Sequence, residues 1–351
     1  MPQRVLLITP EFYGIEKIVK SVLEKSDYEV TWFENKTLPF DYHGTKSKLK
    51  FLRRLYFLLF LPKVRYLSKE LKTVKNLKFD ILFAVNANVV CTYLFRKLKN
   101  GNPGLYSILY LWDSFSKFNW TKELRYFDKV YTFDRDDSIK YKIEYKPNFY
   151  IKGYTNIIYK TEYDLFFVGK FSPERLTGID KLLNLPDNSG IQYFIKLWPG
   201  YKILFHKHLI YRFLKKSNFK STWVKQYLLN YEAFEGIIRR DFLVTSSLDY
   251  EEVQHNLLCS NVILDLPYQF QSGYTHRLIE ALANGKKVIT TNSRIRKEGF
   301  YDARQIRIID EQNQEIDWNW IREKSTFPIP EYILDLELSK WLKSMIDVAI
   351  V

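Results

Sequence analysis

The sequence predicts an α/β protein built from two doubly wound parallel sheets in tandem, and three observations lead there. Short, continuously apolar runs of strand length alternate with segments of helical periodicity, which is how strands buried on both faces by helices read. The alternation occurs in two separate series. The chain's 351 residues suit two domains of ordinary size.

The first series opens with 4–9 (RVLLIT), a strand whose interior, Val5 to Ile8, is continuously apolar with no alternation. In 15–23, Ile15, Ile18, Val19, Val22 and Leu23 recur at helical spacing, and 28–33 returns as a strand. A long helical stretch starts at Lys46 and is interrupted by Pro62. Strand 80–85, helix 89–98 and strands 107–112 and 129–133 complete the set. The second series has strands at 164–169, 191–197, 241–245, 261–266, 287–291 and 306–309, with helices at 249–259 and 275–284. The expected division is 1–157, 158–330 and a C-terminal helical segment, 331–351, returning to the first domain. Two such sheets would face a cleft, because open parallel sheets bind ligands at the carboxyl ends of their strands.

Composition narrows the function classes. Hydrophobic residues make up 46% and charged residues 27%, which excludes a disordered chain, a collagen and a coiled-coil rod. Cys91 and Cys259 lie far apart in apolar surroundings, so neither a disulfide framework nor a zinc site is expected, and a reducing cytoplasm fits. The most apolar window, 55–61, is far shorter than the ~20 residues that span a bilayer. The net charge of +14 is concentrated. Eleven basic residues and one acid lie between Lys46 and Lys78, and seven basic residues without an acid lie between Lys202 and Lys225. Lys48, Lys50, Arg53, Arg54, Lys215 and Lys216 interleave with bulky apolar side chains, a pattern suited to the headgroup region of an anionic membrane. The same pattern also describes the solvated face of core helices, or a phosphate-binding surface for nucleic acid. The last reading lacks any recognition module.

The most informative stretch is 271–292, QSGYTHRLIEALANGKKVITTN. Gly273, Tyr274 and Thr275 form a turn into a helix, and Arg277 and Glu280 stand three apart on it. A helix N-terminus with an adjacent guanidinium suits a phosphate, and a carboxylate one turn deeper suits the two hydroxyls of a ribose. Spacing alone equally allows a core helix with an ordinary surface ion pair. Asp134-Arg135-Asp136-Asp137 contains a formal D-x-D, and the five histidines show no paired spacing of a zinc site.

The 271–292 stretch resembles the donor segment of GT-B glycosyltransferases, in which a glycine turn enters a helix, a Glu meets the nucleotide ribose, and an A-x-G-x-x-V corner follows, here Ala283, Gly285 and Val288. The chain is further similar to bacterial surface-polysaccharide glycosyltransferases related to CgeB-like proteins, through PEFYG at 10–14, LYLWDS at 109–114, FDKVYTFDRDD at 127–137, YDLFFVGKFSPER at 163–175, and Phe300-Tyr301. The resemblance implies a GT-B fold of two Rossmann-like domains. It implies a nucleotide-sugar donor held by Gly169, Lys170, Arg175, Gly273, Tyr274, Thr275, Arg277 and Glu280 without metal or other cofactor. The implied acceptor is a lipid-linked glycan of surface polysaccharide or lipopolysaccharide synthesis, used in the cytoplasm with a peripheral seat on the inner face of the cell membrane. Nucleic acid is not an expected partner under this reading. The competing class is a non-enzymatic basic α/β protein that binds nucleic acid or acidic glycan. D-x-D belongs to the single-domain GT-A architecture, so a metal role is not expected of it. The retaining GT-B pattern has a Glu eight residues before the ribose Glu, where this chain has Ser272. The Lys-Gly-Glu type turn found after the third strand in relatives is Asn86-Ala87-Asn88 here. An inverting transfer would need a general base. Asp113, at the end of its strand, is the first candidate and Glu11 the second.

Overall fold

In the computed structural model, the described residues are 2–36, 61–74, 77–153, 159–184, 190–198, 207–216, 222–246, 248–268, 271–309 and 317–347. The chain divides into two compact units. The first comprises Met1–Lys152, Gln269–His276 and Leu334–Val351; the second comprises Gly153–Tyr268 and Arg277–Ile333. Segment 269–276, which the sequence reading places in the second domain, thus belongs with the first.

In the first unit, β1 (Arg4–Thr9), α1 (Ile15–Lys25), β2 (Glu29–Glu34), α2 (Pro62–Thr73), β3 (Ile81–Val85), α3 (Thr92–Gly101), β4 (Tyr106–Leu111), β5 (Lys129–Thr132), α4 (Arg135–Tyr141) and β6 (Glu144–Tyr145) follow one another. The strands form one parallel sheet in the order β2-β1-β3-β4-β5-β6. Val5 to Ile8 and Leu82 to Ala84 are fully buried, which is why these runs carry no alternation. Pro62 does not interrupt a described helix but opens α2 at its first position, where its missing N–H costs nothing.

The second unit runs β7 (Tyr163–Lys170), α5 (Pro173–Leu183), β8 (Tyr193–Trp198), α6 (Lys207–Lys216), α7 (Thr222–Arg239), α8 (Tyr250–Leu258), β9 (Ser260–Asp265), α9 (His276–Ala283), β10 (Lys287–Thr290), β11 (Ile306–Ile308), α10 (Trp318–Arg322) and α11 (Glu331–Leu334), with His276 and Leu334 counted in the first unit. Its sheet is also parallel, in the order β11-β10-β9-β7-β8. Renumbered from their own first strands, both sheets have the doubly wound order 2-1-3-4-5, extended in the first by a sixth strand, β6. That order reverses direction between the first and third strands, and the reversal point is where such sheets hold ligands. The reversal lies between β1 and β3 in the first unit, and between β7 and β9 in the second.

The expected strand at 241–245 is a single bridge, Leu197 to Leu243. Asp241 takes a left-handed turn (φ 55°) directly after α7, so the backbone enters too abruptly to pair over a full strand. The C-terminal α12 (Leu338–Ile346) packs in the first unit, where the buried Trp341 donates from Nε1 to Pro147 O at 2.8 Å and meets Tyr110 and Phe149 edge-on or tilted at 4.6 and 4.7 Å.

Candidate functional site

In the second unit, β7 and β9 end beside each other, and two arginines, the buried Arg175 and the partly buried Arg277, hold those ends. Arg277, in the first turn of α9, donates from Nη1 to Val168 O at 2.8 Å, lies 4.5 Å above the Phe167 ring, and sits 3.9 Å from the buried carboxylate of Asp265, the last residue of β9. Arg175, in the first turn of α5, is 7% exposed. It donates from Nε to Leu266 O and from Nη1 to Lys170 O, both at 2.8 Å, and stacks 4.1 Å over Tyr268. Both guanidiniums are therefore fixed by the strand-end carbonyls at the reversal point of the sheet. Asp265 also accepts from Thr290 Oγ1 at 2.9 Å. Two fixed cations against this one ion-paired carboxylate leave a local positive excess, which suits a dianionic group.

Gly169 and Lys170 do not form a loop after the strand; they are its last two residues, paired with Leu197 and Trp198 of β8. A Cβ on Gly169 would crowd the site, standing 3.0 Å from Arg277 Nη1 and 3.1 Å from the Phe167 ring. Lys170 is exposed at the end of the strand. Ser172 caps α5 by accepting from Arg175 N, and Pro173 fills the first helical position.

Glu280 differs from the sequence reading. It neither forms a surface pair with Arg277 nor offers two open oxygens to a ribose. Its carboxylate is buried and accepts from Tyr250 Oη at 2.6 Å and from Gln254 Nε2, both on α8. Burial pushes its pKa up to about 7; the bonds from Tyr250 and Gln254 and the charge of Arg277 oppose the rise. The folded pKa thus lies above the ordinary 4.5, so between these values the native state holds a proton that the unfolded chain has lost. Stability is expected to fall as pH rises from about 4.5 to about 7 and then to level, by roughly 3 kcal/mol. Glu280→Gln should flatten that slope in urea unfolding curves taken across the range. An unchanged slope would mean that another group carries it.

Helix α9 ends as the A-x-G-x-x-V corner suggests. Gly285 is left-handed (φ 63°), and Lys286 N reaches back to Ala281 O at 2.9 Å. A Cβ on Gly285 would stand 2.4 Å from Phe327 O, so the glycine answers both the turn and the packing.

The turn before α9 belongs to the first unit. Asp134, 1% exposed, accepts from Ser272 Oγ at 2.5 Å, Ser272 N at 2.8 Å and Gly273 N at 3.4 Å, and caps α4 through Asp136 N and Asp137 N at 3.1 and 3.2 Å. The first acid of the D-x-D is thus a clamp for this turn. Among the described residues, no group of three or more His, Cys, Asp or Glu side chains is arranged to hold a metal ion. Gly273 packs closely against protein: a Cβ there would stand 2.4 Å from Phe133 O. Tyr274 is buried and its carbonyl accepts from Asn148 Nδ2 at 2.8 Å. Thr275 immediately precedes the first residue of α9.

At the strand ends of the first sheet, Asp113 accepts from Asn86 Nδ2 at 2.9 Å and from Lys117 Nζ at 2.5 Å. Asn86 is left-handed (φ 56°), and this turn presents an amide that orients Asp113. Glu11 is exposed in the loop after β1. Of the basic residues, Lys48, Lys50, Arg53 and Arg54 lie outside the described residues. Lys215 and Lys216 are exposed in the last turn of α6, and Lys215 bonds Tyr211 Oη at 2.6 Å. No helix among the described residues is long and apolar enough to cross a membrane.

No protein-family model and no curated protein sequence matches the chain. Its structure is similar to an α-glucosyltransferase solved in complex with UDP and a 13-mer DNA, with a TM-score of 0.59 at 14% identity over 99% of this chain and 100% of that one. It is similar to the lipopolysaccharide outer core galactosyltransferase WaaB, at 0.52 and 14% over 99% of each chain. The fold is the two-domain α/β fold of GT-B glycosyltransferases. Sucrose-phosphate synthase from Thermosynechococcus elongatus shares it, with a TM-score of 0.51 at 13% identity over 99% of this chain and 96% of that one. Sequence reasoning missed Phe167, Tyr250, Gln254 and Asp265. Only Asp265 left a signal, as a charged residue directly after the apolar run Val262 to Leu264.

Proposed function

We propose that this GT-B chain is a glycosyltransferase that moves a sugar from a nucleotide diphosphate sugar to a lipid-linked glycan of bacterial surface polysaccharide or lipopolysaccharide. The observation that carries the reading is the pair of carbonyl-anchored guanidiniums of Arg175 and Arg277 at the reversal point of the second sheet. The acceptor oxygen attacks the anomeric carbon while the bond from that carbon to the diphosphate oxygen breaks, and the electron pair leaves with the nucleoside diphosphate. Arg175, Arg277 and the exposed Lys170 meet the charge that grows on the leaving group, a task most effective for donors already fixed in place. Under this reading no metal is needed, and transfer persists in EDTA.

The acceptor proton goes to a carboxylate of the first unit. Asp113, oriented by Asn86 and Lys117, is the first candidate and Glu11 the second. Ser272 stands where the retaining pattern has a carboxylate, and its hydroxyl is engaged by Asp134. Gly273, Tyr274 and Thr275 contribute by setting the entry to α9, and Glu280 by fixing α9 against α8. The concentrated basic segments support a peripheral seat at the inner face of the cell membrane.

The net charge of +14, together with the DNA in one similar structure, favours a second reading, in which the acceptor is nucleic acid. Incubation with tritiated UDP-glucose or UDP-galactose in EDTA, with detergent-extracted lipid-linked glycans or duplex DNA as acceptor, separates the two. Label is expected in the glycan fraction. Label in DNA selects the second reading, and label in neither contradicts sugar transfer from these donors.

A further inference from the structure

The reversal point of the first sheet carries a second arrangement that the donor site does not use. The loop after β1 turns through two consecutive left-handed residues, Tyr13 (φ 54°) and Gly14 (φ 78°), and Glu16 pins it by accepting from Phe12 N at 3.0 Å. This holds the Phe12 ring 40% exposed, 5.4 Å from Trp112 and 4.5 Å from Tyr13. On its other side Trp112 meets the His276 ring edge-on at 6.2 Å. The residue after Trp112 is Asp113, joined to Asn86 at the end of β3. Loops from β1 and β4 therefore combine an aromatic floor with the carboxylate of Asp113, which the buried Asn86 holds in place. The Phe12 ring is thus held partly exposed beside Trp112 by a loop with a left-handed non-glycine residue.

The chemistry selects the occupant. A pyranose has an apolar C–H face that lies against aromatic rings and an edge of hydroxyls that pairs with carboxylates, whereas the exposed Glu11 repels phosphate. We infer that Phe12 and Trp112 form the floor of a subsite for one pyranose ring of the acceptor glycan, with Asp113 meeting its hydroxyls. This inference rests on the glycosyltransferase reading and specifies its acceptor side.

Saturation-transfer NMR with the methyl pyranosides of glucose, galactose, mannose and N-acetylglucosamine tests it, with the UDP-induced rise in melting temperature recorded in parallel. At least one glycoside should show transfer to its ring C–H protons in the wild type. Phe12→Ala should weaken its binding about tenfold while Phe12→Trp retains it, and the rise caused by UDP should be the same in all three proteins. If Phe12→Ala does not fold, Phe12→Leu takes its place. Equal signals in wild type and Phe12→Ala, no signal from any glycoside, or Phe12-dependent signals from UDP in place of the sugars would each overturn the subsite, leaving the donor reading intact where UDP still stabilises. If UDP fails to stabilise the wild type, the donor reading falls, and the glycoside signals judge the subsite by themselves.

Discussion

Arg277→Ala is expected to remove the stabilisation that UDP confers and to slow sugar transfer by roughly a hundredfold or more. Three contacts set that size. Nη1 is bonded to Val168 O, the guanidinium plane rests on Phe167, and Asp265 stands behind it. The variant loses the cation and leaves Asp265 buried without it, so part of the loss should appear as lowered stability of the unliganded protein. Arg277→Lys separates charge from shape. A lysine restores the cation without the planar fork that bonds the carbonyl while facing a phosphate, so it should recover only a fraction of the rate. Steady-state kinetics with melting curves measure both effects. Full activity in either variant would mean that Arg277 only packs β7 against α9.

Asp134→Ala should produce the largest loss of stability in the first unit, about 3–5 kcal/mol in urea unfolding. Its carboxylate serves five donors: two backbone N–H groups at the start of α4, two in the turn at Ser272 and Gly273, and the Ser272 hydroxyl. Alanine leaves all of them without this acceptor. Hydrogen exchange should locate the damage, with the amides of Ser272 and Gly273 losing protection before those of β1. A stability change below about 0.5 kcal/mol would contradict the clamp.

These two residues also show what a sequence can and cannot disclose. Strands such as 4–9 and 81–85 were legible because both faces are buried and no polar position interrupts them, and Gly285 was legible because a left-handed helix end leaves a local signature. Asp134 reads as half of a D-x-D motif because its true partner, Ser272, is 138 residues away. Arg277 and Glu280 share a helical face, but their partners are Val168, 109 positions distant, and Tyr250 and Gln254 on another helix. Spacing reports only neighbours along the chain. The strand expected at 241–245 failed for a related reason: an apolar run records burial, while pairing needs a backbone that is already extended on entry, which Asp241 prevents.

On the glycosyltransferase reading the second unit binds a nucleoside diphosphate through Arg175 and Arg277 without a metal. Calorimetric titration of UDP, GDP, ADP and CDP in EDTA, each beside its parent nucleoside, measures this. At least one diphosphate is expected to bind, its nucleoside to bind about a hundredfold more weakly or not at all, and Arg175→Ala and Arg277→Ala each to abolish the difference. Equal binding of nucleoside and diphosphate, or no binding by any diphosphate, would contradict it.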